Sequence, residues 1–140
     1  MEAPISELMA GTKASFYVID CLPNMTLTEV QNGVIPLAEA IRARQAKTPI
    51  VFLENSMYSR SYFVNSLKDD LNAKNQALRI EFEKLVKKGM KNIYYINNKG
   101  DLGDDGEGAV DGTHLTDLGF LRFADHLIKN FKKNDLKIVE

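Results

Sequence analysis

Asp111-Gly112-Thr113-His114 places a carboxylate three residues before an imidazole, on a glycine-containing turn that runs into Leu115-Thr116-Asp117-Leu118-Gly119. An Asp at that spacing can hold a His in one tautomer and stabilise its cation, as a general base requires. The bland alternative is a helix N-cap region with an incidental, solvated His, because short motifs match by accident. A second segment, Cys21-Leu22-Pro23-Asn24-Met25, offers Asn24, whose side-chain amide can donate to a developing oxyanion; Pro23-Asn24 is also explained by an ordinary turn. Cys21 is a conceivable thiol nucleophile beside His114, although a lone Cys at a strand end is more often a small buried residue. The acid–base half of a hydrolytic triad is therefore present without a convincing nucleophile.

Other chemistries fit less well. Asp101, Asp104, Asp105, Glu107 and Asp111 evoke calcium, but counting from Asp101 an EF-hand would need an oxygen ligand where Gly103 stands and a Glu where Gly112 stands. A solvated loop is the better reading, and no metal and no cofactor is expected. His126 lies among Lys and Asp residues and reads as surface. Neither G-x-x-x-x-G-K-[ST] nor a G-x-G-x-x-G between strand and helix occurs, which counts against nucleotide binding.

Three short apolar runs must position these residues: Phe16–Asp20, Pro49–Glu54 and 92–96. Each is apolar on both faces, the pattern of parallel strands covered by helices on each side. Both chemical segments then fall at the C-terminal ends of strands, where open α/β sheets place their ligand sites. Between the strands, Thr26-Leu27-Thr28-Glu29 is a capping box, followed by Val30, Val34, Leu37, Ala38 and Ile41 at helical spacing; Pro36 predicts a kink or an irregular turn there. A second helix is expected over about 63–88, burying Leu67, Leu71, Leu78, Phe82 and Leu85 and stopping at Gly89. A last helix from near Thr116 uses Phe120, Phe123, Ala124, Leu127 and Phe131, and a short one spans Pro4–Ala10. The order α-β-α-β-α-β-α gives an α/β class with a parallel sheet, and 97–110 is a long loop rich in Gly and Asp.

At 140 residues the chain fits one domain, with 44% hydrophobic and 26% charged residues. A net charge of -1 gives no electrostatic reason for binding nucleic acid or an anionic membrane. Runs such as Ile50-Val51-Phe52-Leu53 are too short to span a bilayer, and Met1-Glu2-Ala3-Pro4 does not read as a signal peptide. The single Cys21 excludes an internal disulfide.

Taken in order, Asp20-Cys21-Leu22-Pro23-Asn24-Met25, Leu102-Gly103-Asp104-Asp105-Gly106-Glu107, Asp111-Gly112-Thr113-His114 and Gly119 resemble the later blocks of the SGNH/GDSL hydrolases. The likeness is nearest to the acetylhydrolase-like branch found in Bacteroidetes and related bacteria. It implies a three-layer, flavodoxin-like α/β/α sandwich over residues 1–140 and ester hydrolysis by a Ser nucleophile, a His base and an Asp partner. By carry-over, His114 is the base, Asp111 its partner and Asn24 the oxyanion donor. The family's G-x-S nucleophile block has no counterpart here, so the resemblance implies the C-terminal portion of such an enzyme, inactive alone, from a secreted or periplasmic parent acting on a small ester. Ser56 and Ser59 follow the second strand and at least reach the correct edge. A non-catalytic flavodoxin-like binding or oligomerisation module is the alternative. In that fold the missing first strand lies beside Phe16–Asp20, so self-association through this strand edge is expected.

Overall fold

The structure is a computed structural model and describes residues 1–137. Its sheet has three parallel strands in the order β1 (Tyr17–Ile19), β2 (Ile50–Leu53), β3 (Ile93–Ile96). Register pairs Val18 with Val51 and Val51 with Tyr94. These strands are the cores of the three expected apolar runs. Only β2 is buried along its whole length. Its alternation divides the interior: Ile50 and Phe52 face one layer, Val51 and Leu53 the other. The expectation of cover on both faces holds less well outside β2. Val18 in β1 is 37% exposed, and three of the four residues of β3 are only half-buried.

On the Ile50/Phe52 side lie α2 (Leu27–Arg44) and α3 (Asn65–Lys87), with α1 (Ala3–Gly11) packed on α2. The α2 capping box forms as its sequence dictates: Thr26 Oγ1 accepts from the Glu29 N–H, and the Thr26 N–H donates to Glu29 Oε2 at 2.7 Å. The helix then runs without a break through Pro36, so the expected irregular turn does not form. Pro36 lies on the exposed face, where water can satisfy the Asn32 carbonyl that the missing N–H leaves free. Helix α3 ends at Gly89, whose φ of +83° closes the turn at low cost.

The opposite face is covered by α4 (Asp117–Lys133), through Phe131 and the half-buried Phe123 and Leu127. Phe131 also meets Phe16 edge-on, with ring centroids 5.1 Å apart. Phe120 and Ala124, read as part of the same stripe, are exposed, Phe120 by 60%. Strands of about four residues extend about 13 Å, whereas a helix of this length extends about 25 Å. The helix is therefore longer than the strands it covers, and not all of its apolar residues can pack on them. No helix among the described residues is long and apolar enough to cross a membrane.

Candidate active site

Asp111 is bound through both carboxylate oxygens. Its Oδ1 accepts the backbone N–H of Thr113 at 2.9 Å and of His114 at 2.8 Å, while Oδ2 lies 2.7 Å from His114 Nδ1. One oxygen thus closes the Asx turn and the other orients the ring, leaving Nε2 directed away from the pair. The backbone N–H of His114, then its ring, then the Thr113 N–H hold the Asp111 carboxyl well below the usual carboxylate range. Both side chains are open to solvent, His114 by 82%.

The loop that carries them is braced from three directions. A short antiparallel bridge joins Ala109 to Leu115, with the Val110 N–H donating to the His114 carbonyl at 2.7 Å. Thr116 caps α4 by accepting the Gly119 N–H, and its hydroxyl donates to the Glu107 carbonyl at 2.8 Å. Gly112, at φ +83°, lets the chain approach the 3-10 turn Ser59–Tyr62 after β2, where the Arg60 N–H donates to the Gly112 carbonyl at 3.1 Å. A Cβ on Gly112 would lie 2.9 Å from Arg60 Cβ.

The preceding loop is less solvated than its composition indicates. Asp101 is 5% exposed and its Oδ2 accepts the Ser56 hydroxyl at 2.6 Å; burial pushes its carboxyl up, and the Ser56 hydrogen bond opposes that shift. Asp105 receives a two-pronged contact from Arg122 at 2.7 and 2.6 Å. His126 is half-exposed, with Nε2 2.8 Å from the Asn97 carbonyl oxygen. Among the described residues, no group of three or more His, Cys, Asp or Glu side chains converges as a metal site.

Asn24 ends the 3-10 turn Leu22–Asn24 after β1 and lines the same cleft as His114. This cleft encloses about 460 Å³; its wall includes Leu67, Asp70, Leu71 and Lys74 of α3, and its floor Asn55 and Tyr58. Asn55 is 2% exposed and is held by the Asn75 side chain, which donates to its carbonyl at 2.9 Å and accepts its N–H at 2.8 Å. Its own Oδ1 accepts the Tyr58 hydroxyl at 2.8 Å, and Nδ2 has no partner among the described residues.

No Ser or Cys is among the residues that line the cleft. Cys21 does not line this cleft but an adjoining groove, with Met1 and Met25, that Asn24 also borders; its Sγ is 3.4 Å from Met25 Sδ, and burial pushes the thiol up, away from the thiolate a nucleophile needs. Ser56 is committed to Asp101, Ser59 borders another small cavity, and Ser61 is fully buried.

The α3 residues were missed by motif reading, yet they left a trace. Lys74 occupies a slot in the 67/71/74/78 stripe, so a charged side chain stands where helical spacing calls for an apolar one.

The family profile described as GDSL-like lipase/acylhydrolase matches residues 1–132. Among solved structures, the chain is similar to a GDSL-like lipase from Bacteroides ovatus, at 30% identity and a TM-score of 0.94, over 100% of this chain and 42% of that one. It is also similar to the salicylyl-acyltransferase SsfX3 from a tetracycline biosynthetic pathway, at 18% identity and a TM-score of 0.76, over 97% of this chain and 42% of that one. That second likeness is one of fold. The chain spans less than half the length of either solved structure. No curated protein matches it.

Proposed function

The chain belongs to the GDSL-like lipase/acylhydrolase family, and from that premise we propose that it supplies the His base, its Asp partner and an Asn oxyanion donor for the hydrolysis of a small acyl or acetyl ester. The carrying observation is the 2.7 Å contact between Asp111 Oδ2 and His114 Nδ1, in a loop whose His shares a cleft with Asn24. In this reading Asp111 keeps the proton on Nδ1, so Nε2 takes the proton of an attacking hydroxyl and returns it to the leaving alcohol. Asn24 donates through its amide to the oxygen that becomes negative in the tetrahedral intermediate.

The nucleophile must come from outside the residues that line the cleft. The purified chain is therefore expected to be essentially inactive on an aryl acetate, because losing the Ser of a comparable triad costs on the order of 10⁶ in turnover. Turnover abolished by Cys21→Ala or Ser56→Ala would overturn this. The complementary arm places a family segment bearing G-x-S ahead of residue 1. Turnover should then arise, and His114→Ala should remove it. Persistence of that turnover in His114→Ala would defeat the assignment. The lack of a cleft-lining Ser or Cys also favours a second reading, a non-catalytic binding or oligomerisation module, which predicts no turnover in either arm.

A further inference from the structure

Lys74 is a costly residue to place where it is. Its side chain is only 9% exposed, and Nζ lies 2.8 Å from Asp70 Oδ2, the acceptor it is given among the described residues. A buried ammonium has three donors and is stable only when they are met. The Asp70 side chain, by contrast, is 47% exposed. Helical spacing places Leu67, Asp70, Leu71 and Lys74 on one stripe of α3, and all four line the cleft that His114 and Asn24 share. The α3 wall of this cleft therefore holds an acceptor, a donor and two apolar side chains.

We infer that this stripe is a specificity subsite for a neutral group carrying adjacent hydroxyls, in the acyl or alcohol part of the ester. The inference rests on the hydrolytic reading for its placement beside the reacting bond. One hydroxyl of such a group donates to Asp70, and its neighbour accepts from Lys74. The carbon skeleton between them covers Leu67 and Leu71. Other ligand classes fit worse. An anion meets the Asp70 carboxylate on this wall and the Asp111 carboxylate behind His114. A cation meets Lys74. A purely apolar group desolvates the ion pair and returns no hydrogen bond.

The test is an NMR titration of the 140-residue chain with cis-1,2-cyclohexanediol, cyclohexanol and cyclohexanecarboxylate, read at the Leu67 and Leu71 methyls, the Lys74 ε-methylene and the Asn24 side-chain amide. The diol is expected to half-saturate these shifts at about tenfold lower concentration than cyclohexanol, the increment of one hydrogen bond to a charged group. The carboxylate should bind no better than cyclohexanol. Lys74→Met and Asp70→Asn should each bring the diol to the cyclohexanol level; the second alters a half-exposed side chain, so it stays informative if the first compromises folding. A diol no tighter than cyclohexanol, a carboxylate tighter than the diol, or diol binding unchanged in Asp70→Asn would overturn the subsite. No ester is turned over in this titration. Failure here with hydrolysis intact sinks the subsite alone, and failure of hydrolysis with the titration intact sinks the catalytic reading alone.

Discussion

Asp111 does two jobs with one carboxylate, and its titration reports on both. Its folded-state pKa is depressed by the His114 and Thr113 contacts. The sign follows from linkage. A depressed carboxylate contributes stability above its unfolded pKa, and loses that contribution only as pH falls through the lower folded value. The side-chain carboxyl carbon of Asp111 should therefore still report the ionised form at pH 3.8, the ordinary Asp value, where exposed carboxylates are half-protonated. Carbon-detected NMR over the acid range checks this. Half-titration of Asp111 at the ordinary value would mean that the Asx turn and the ring contact are not held in solution. Asp111 and His114 are separated by two residues, so their meeting was legible in the sequence. Asn24 is 90 residues away from His114, and a shared cleft for the two depended on both strand-end turns folding toward one side.

At the level of elements, the site depends on how α4 meets the loop before it. Gly119, in the first turn of α4, is buried against the backbone of Gly108, and a Cβ there would overlap the Gly108 carbonyl oxygen. That carbonyl also accepts the Thr116 N–H at 3.1 Å. Elsewhere in a helix, Gly→Ala gains about 1 kcal/mol in propensity. Here the obstacle is backbone, which cannot swing aside, and overpacking of this kind costs about 1–3 kcal/mol. Gly119→Ala should therefore be net destabilising in denaturant melts and should shift the His114 ring resonances as the loop is pushed off the helix. A neutral or stabilising outcome would show that the loop yields. Helix positions and caps were readable because they are local: the Thr26 box and the Gly89 stop are set by neighbours a few residues apart. The continuity of α2 through Pro36 was not, because it depends on which side of the helix faces solvent.

Over the whole molecule, β1 pairs with β2 on one side and with no strand on the other among the described residues. Its Val18 is partly exposed, as are Ile5 and Leu8 of α1 and Phe120 and Leu121 of α4. An open strand edge with a partly uncovered apolar side chain, Val18, is a template for pairing with another chain. We propose that the chain self-associates through the Phe16–Asp20 edge, with a symmetric dimer as the simplest closed arrangement. Light scattering at micromolar concentration should give a mass above that of one 15.7 kDa chain. Replacing Val18 with Lys, an edge-blunting residue, should lower it. A monomer across that range would refute the proposal.

What the sequence determined by itself was everything that depends on short separations: three apolar strand cores, helix caps, the left-handed glycine turns and the Asp111–His114 spacing. The block order from Asp20 to Gly119 pointed to the family as well. Tertiary structure alone decided which distant side chains share a cavity. It put Lys74 and Asp70 in the cleft that His114 lines, left Cys21 in an adjoining groove and tied Ser56 to a buried Asp101. It also left Phe120 and Ala124 of α4 exposed. The physical reason is that periodicity reports which face of an element is apolar, whereas cover on that face depends on the lengths and positions of elements far away in the chain.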